Sequence, residues 1–144
     1  MNTPQHEIGV GLISVGWMGQ LHSRAYSSLS VVYPELGIRP RLVIAADTNR
    51  DRADYAVDVL GYESATTDYH EVLEHPDVDV VSVCAPNFLH EEIGTAVARA
   101  GKSLWIEKPV GRSAEETETV AQAADDAGIV TAVGFNYRNA PAIE

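Results

Sequence analysis

The chain has 144 residues, 21 of them acidic and 10 basic, for a formal net charge of −11 at pH 7. That length suits one compact domain, and 45% apolar with 22% charged residues is a globular balance that argues against a disordered or fibrous chain. Only two lysines occur, Lys102 and Lys108, with no basic run, so nothing here suits a nucleic-acid phosphate backbone.

In chain order, an apolar run over 8–15 reads as a first strand, and a glycine turn leads from it into a helix over 18–30. Residues 31–40, with Pro34, Gly37 and Pro40, read as a loop inserted before a second strand over 41–46. A helix over 49–60 closes at Gly61, where a left-handed cap costs glycine no strain. A weak third strand lies near 62–65. A short helix begins at Asp68, with Glu71 completing a capping box, and stops before Pro76. The fourth strand, 78–85, feeds a helix over 87–100 in which Ile93, Val97 and Ala100 recur at helical spacing, ending at Gly101. A fifth strand over 103–107 precedes a helix over 113–127, opened by Ser113 and Glu116 as another capping box and closed by Gly128. The last strand is 129–135.

These strands are short, rich in Val and Ile, and apolar on both faces, as in a parallel sheet covered on both sides. Five strand–helix alternations predict an α/β fold: a doubly wound parallel sheet (Rossmann fold) of six strands in the order 3-2-1-4-5-6. That order places a crevice at the carboxyl ends of strands one and four. Cys84, the single cysteine, excludes an internal disulfide and a multi-cysteine metal site, and suits a reducing compartment. The opening MNTPQHE has no charged-then-apolar leader, and no window approaches the ~18–20 apolar residues of a membrane span. The expectation is a cytoplasmic domain without membrane contact.

The turn after strand one reads Ser14-Val15-Gly16-Trp17-Met18-Gly19, one position away from the G-x-G-x-x-G of dinucleotide folds. There the glycines give a tight turn, close approach to a pyrophosphate and close helix packing. Serine fits the first position if its φ is negative. The N–H groups of Trp17 and Met18 would then face phosphate, helped by the helix dipole. Asp47 ends strand two, where a carboxylate accepts hydrogen bonds from ribose hydroxyls and repels the 2′-phosphate of NADP. The plainer reading is that Asp47 caps the next helix with Thr48 and Asn49. Arg50 lies near enough in sequence to accept a 2′-phosphate, so NAD is expected with NADP as the alternative.

Two further segments leave strands at the same edge: Pro86-Asn87-Phe88-Leu89-His90 after strand four, and Glu107-Lys108-Pro109 after strand five. A lysine beside a cationic nicotinamide would have its ammonium form disfavoured and could exchange a proton with a substrate hydroxyl. The bland readings are a solvated Lys108, Asn87 as an N-cap, His90 as a first-turn residue, and Glu107 as partner to a nearby charge. His22 divides between packing and crevice lining; Cys84 and Trp105 read as core. His70 and His75 miss the i, i+4 spacing of a zinc helix, since five residues place two rings about 140° apart, and no metal is expected.

At these residues the sequence resembles a family. Glu107-Lys108-Pro109, Pro86-Asn87-x-x-His90, Gly16-x-x-Gly19-x-x-His22 and Gly134-Phe135-Asn136-Tyr137-Arg138 are similar to the motifs of the glucose–fructose oxidoreductase / inositol dehydrogenase / MocA (Gfo/Idh/MocA) family, over about residues 7–142. The resemblance implies an NAD(P)-dependent dehydrogenase of sugars, cyclitols and related hydroxy compounds. It gives Lys108 the catalytic place beside nicotinamide and reacting hydroxyl, puts Pro86, Asn87 and His90 along the cofactor crevice with Glu107 at its border, and implies a cis Lys108–Pro109 bond. It also implies that a C-terminal substrate domain, carrying the Asp and His partners of the lysine, is absent from residues 1–144. On that reading the chain binds dinucleotide without turnover and exposes apolar area near the sheet's carboxyl edge and around 135–143, a route to homo-oligomers. A non-catalytic dinucleotide-sensing module is the competing reading; the lysine triplet is what separates the two.

Overall fold

The computed structural model describes residues 6–139; the readings made of the first five residues and of 140–143 lie outside them. Six strands form one sheet: β1 (His6–Ile13), β2 (Ile38–Ala46), β3 (Ser64–Thr66), β4 (Val80–Val83), β5 (Ser103–Ile106) and β6 (Thr131–Val133). All pairings are parallel, and the order is β3-β2-β1-β4-β5-β6, as the alternation predicts. The helices are α1 (Trp17–Val32), α2 (Arg50–Tyr55), α3 (Tyr69–Glu74), α4 (His90–Arg99) and α5 (Ala114–Ala127).

The central strands β1, β2 and β4 bury both faces toward their carboxyl ends because their side chains alternate between two apolar layers. Val10 and Leu12 of β1 pack with Leu42, Ala45, Ala56 and Tyr62, on the face that Tyr26 of α1 also covers. Ile13, Val43, Ile44, Val81, Val83, Leu104 and Ile106 form the other layer with Val72, Ile93, Val97 and Val120 from α3, α4 and α5. The alternation along β2 is broken once. Val10 pairs with Leu42 but Gly11 pairs with Ile44, so Val43 is an extra residue, and the bulge turns both Leu42 and Ala45 toward the α1 face. Among the described residues no helix is long and apolar enough to cross a membrane.

Several boundaries differ from the sequence reading. Residues 31–40 are not a loop: α1 runs on to Val32, a 3-10 turn spans Pro34–Leu36, and β2 starts at Ile38. Pro40 therefore lies inside a strand, opposite Ile8. It is tolerated because β3 pairs only with Ile44, Ala45 and Ala46, which leaves that flank of β2 open where the missing N–H would have pointed. The helix over 49–60 is α2 continued by a π turn, Ala56–Leu60, and it does close on a left-handed Gly61. Residues 87–89 form a 3-10 turn that delays α4 to His90, and β6 is confined to Thr131–Val133. Both capping boxes form only halfway. Asp68 accepts from the His70 N–H while Glu71 accepts from the Thr66 hydroxyl. Ser113 accepts from the Glu116 N–H, but the Glu116 carboxylate takes the Arg112 N–H and guanidinium.

Ser14, at the end of β1, has φ of 76°, not the negative value expected for a side-chain-bearing residue. The turn requires the left-handed region, where an L-residue meets its own carbonyl and loses about 1–2 kcal/mol. Ser14→Gly relieves that clash but adds unfolded-chain entropy, so the variant is expected to be more stable by about 0.5–1 kcal/mol. The urea midpoint measures it, and a decrease would show that the serine hydroxyl contributes more than its backbone costs.

Candidate functional site

The sheet's carboxyl edge gathers the turns that follow β1, β2, β4 and β5. The first of them runs into α1, whose N-cap is Gly16. Among the described residues no side chain caps this helix, and its first turn carries no acidic residue. The leading N–H groups, including those of Trp17 and Met18, therefore have no intrahelical partner and sit at the positive end of the helix dipole. The two glycines differ in what they make room for. A Cβ at Gly19 would run into the Ser14 carbonyl, so this glycine lets the helix pack onto the strand end. A Cβ at Gly16 would meet only the Ser14 Oγ, at 3.8 Å, so the space above it is open to a ligand. An uncapped helix end beneath open space fits a diphosphate.

Asp47 is buried, and its carboxylate is already engaged. Oδ2 accepts from the Val15 N–H at 2.8 Å and Oδ1 from the Asn49 N–H at 2.9 Å. Part of the plainer reading thus holds, although the residue that caps α2 is Asn49, whose side chain accepts from the Arg52 N–H at 3.2 Å. An ionised carboxylate has about four acceptor sites, so lone pairs remain for a ligand. Asp47 also lines a hollow of about 370 Å³ with Ser14, Thr48, Arg52, Tyr69 and Pro86. Arg50 does not line it, being paired with Asp54 at 2.8 Å; Arg52 takes that place. Across the hollow the Tyr69 hydroxyl donates to Glu92 Oε1 at 3.0 Å, and burial together with that carboxylate pushes the phenol up to about 12. None of Thr48, Arg52, Tyr69 and Glu92 was read from sequence as a site residue. The available signal was position, since Thr48 and Tyr69 lie within three residues of a strand's carboxyl end.

Lys108 is exposed and shares a second hollow, of about 390 Å³, with Phe135, Asn136, Tyr137 and Arg138. The Lys108–Pro109 bond is cis, as the resemblance implies. Lys102, in contrast, is tied down, its Nζ donating to the carbonyls of His75 at 3.0 Å and Val78 at 2.7 Å. Pro86 lines the first hollow, and the exposed Asn87 makes no side-chain cap for the turn it opens. His90 is buried and borders neither hollow; its Nδ1 meets the Pro109 carbonyl at 2.6 Å and its Nε2 the Ala85 carbonyl at 2.8 Å. Glu107 is buried too, accepting from His22 Nε2 at 3.0 Å. The other nitrogen of His22 accepts from the Ser82 hydroxyl at 2.6 Å, and its ring stacks on Trp105 at 3.8 Å. His22 therefore packs rather than lines. Cys84 lies 3.4 Å from the same nitrogen, and burial with the nearby Glu107 charge pushes its thiol up to about 12, which makes it unreactive. Trp17, Phe88, Phe135 and Tyr137 are exposed along this edge, the apolar area expected there within the described residues.

Burial lowers the His22 pKa from its ordinary 6.5, against a smaller opposing pull from Glu107. The unfolded chain thus binds this proton more readily than the folded one, and the associated stability, complete above 6.5, is lost as pH falls below it. Urea midpoints taken between about pH 7.5 and 5.5 are expected to fall with acid more steeply in the native sequence than in His22→Gln. Parallel profiles would contradict the assignment.

The fold and this edge have close counterparts. Levoglucosan dehydrogenase of Pseudarthrobacter phenanthrenivorans is 38% identical over 136 residues, covering 94% of this chain and 35% of that protein. Myo-inositol 2-dehydrogenase of Thermotoga maritima is 30% identical, over 90% of this chain and 36% of its own length. The solved structure of a levoglucosan dehydrogenase in complex with NADH superposes with a TM-score of 0.91 at 38% identity, over 96% of this chain and 37% of that one. The chain thus spans little more than a third of the length of these relatives. The family described as an oxidoreductase family with NAD-binding Rossmann fold matches residues 8–135, and with its sheet order and glycine turn the chain belongs to that family, Gfo/Idh/MocA.

Proposed function

We propose that this chain binds a nicotinamide dinucleotide, NAD in preference to NADP, as the cofactor domain of a dehydrogenase of sugars, cyclitols or related hydroxy compounds. The observation that carries the reading is the uncapped end of α1 beneath the open space at Gly16, on the same sheet edge as Lys108. The substrate class is supported by the relatives named for levoglucosan and myo-inositol.

In this reading the N–H groups of Gly16, Trp17, Met18 and Gly19 hold the diphosphate, and Ser14 and Pro86 flank the adenosine side. Asp47 uses its remaining lone pairs on ribose hydroxyls, and its charge disfavours a 2′-phosphate. The bound nicotinamide supplies the hydride acceptor or donor. The Lys108 amine takes the proton from a substrate hydroxyl during oxidation and returns it during reduction. Asn87 borders the crevice, and Glu107 and His90 serve it from behind. Turnover requires a substrate domain beyond residues 1–144, so this chain alone binds without catalysing. The apolar carboxyl edge is the face that meets such a domain, and it offers a route to homo-oligomers. A cytoplasmic setting agrees with the free thiol of Cys84.

Titration with NAD+ and NADP+, followed by Trp17 fluorescence over a constant Trp105 background, is expected to give saturable binding that is tighter for NAD+. Asp47→Ala is expected to weaken NAD+ about tenfold and narrow the preference, and to cost about 1–3 kcal/mol of stability through two orphaned N–H groups. Gly19→Val forces the helix off the strand end and is expected to abolish binding. No saturable signal with either dinucleotide would overturn the reading.

A further inference from the structure

Lys108 stands between two residues that are each held by a buried histidine, and the two histidines come from opposite faces of the sheet. His22 of α1 donates from Nε2 to the Glu107 carboxylate at 3.0 Å. His90, at the start of α4, reaches the Pro109 carbonyl at 2.6 Å. We infer that His22 and His90 form a brace that fixes where Lys108 leaves the sheet, an inference that rests on the assignment of Lys108 to the cofactor edge.

On the α1 side the brace is built from satisfied groups. A neutral His22 with hydrogen on Nε2 serves both of its neighbours, donating to Glu107 and accepting from Ser82, while its ring is clamped against Trp105. The fold makes room for the Glu107 carboxylate by placing Gly134 against it, where any Cβ would overlap that group. On the other side, the same His90 ring that meets Pro109 also meets the Ala85 carbonyl at 2.8 Å, tying the turn after β5 to the turn after β4. Neither histidine lines the hollows that hold Asp47 and Lys108. Both therefore act through Lys108 as positioning residues. A lysine has a flexible four-carbon stem, so holding the residues on both sides of it, one by its carboxylate and one by its carbonyl, restricts where the stem starts while leaving the amine free.

The chain's two lysines make the test direct. Reductive ¹³C-methylation yields one NMR signal each for Lys102 and Lys108, with Lys102→Arg providing the assignment. NAD+ is expected to shift the Lys108 signal of the native sequence. In His22→Leu and in His90→Leu, the ligand-free Lys108 signal is expected to move and its response to NAD+ to fall at least about twofold, with the Lys102 signal unchanged. His22→Gln, whose amide can donate to Glu107 and accept from Ser82, and His90→Gln, which retains a donor, are expected to restore the native signal in part. Folded leucine variants whose Lys108 signals match the native ones, free and with NAD+, would overturn the brace. Should the leucine variants not fold, Ser82→Ala carries the test, because it removes only the hydroxyl that orients His22: a displaced ligand-free Lys108 signal supports the brace, and an unmoved one overturns it. A native Lys108 signal unmoved by saturating NAD+ would instead sink the cofactor assignment, leaving the brace to be judged on the ligand-free signals.

Discussion

Parallel pairing of β1 with β2 on one side and β4 on the other is the constraint from which the site follows. Because every strand runs the same way, each turn that leaves a strand's carboxyl end emerges at one edge, and each return passes through a helix on one face or the other. The chain reverses its direction of winding between β1 and β4, so no connection crosses the gap between their ends. Ser14 and the glycine turn lie on one side of that gap and Pro86 on the other. Asp47 closes the arrangement by binding the Val15 N–H, which fixes the glycine turn to the end of β2.

Charge is distributed to suit that edge. In a chain of net charge −11, an anion site survives only if carboxylates are kept from it or neutralised. α1 has no acidic residue in its first turn, and the Asp47 carboxylate is held at the end of β2 by the Val15 and Asn49 N–H groups. At the opposite edge, Arg41 gathers Glu7, Glu63 and Asp77 around one guanidinium. Each of these pairs is part-exposed and contributes little to stability alone. Their effect is to draw acidic side chains toward the amino ends of the strands.

Behind Lys108 the core changes character. Ser82, His22 and Glu107 are buried polar groups in an otherwise apolar sheet, and each has a hydrogen-bond partner within the group. A buried network with every member satisfied specifies one arrangement, because any alternative packing leaves a donor or acceptor unpaired. The turn that carries Lys108 therefore rests on an ordered core.

The strand–helix alternation, the sheet order, the glycine turn and the places of Asp47 and Lys108 just after strand ends were legible in the sequence, because each rests on local periodicity, chain order or residue types that a turn demands. The left-handed Ser14, the Val43 bulge and the strand containing Pro40 were not, since each depends on what neighbouring strands leave open or force closed. Arg52 rather than Arg50 faces the hollow because the α2 geometry pairs Arg50 with Asp54 one turn on. The sequence alone determined which residues reach the carboxyl edge, because chain order and strand direction fix that. Only the tertiary structure decided that His22, Glu107 and His90 turn inward while Lys108 stays exposed, because those contacts join residues up to 85 positions apart, and no local pattern encodes their meeting.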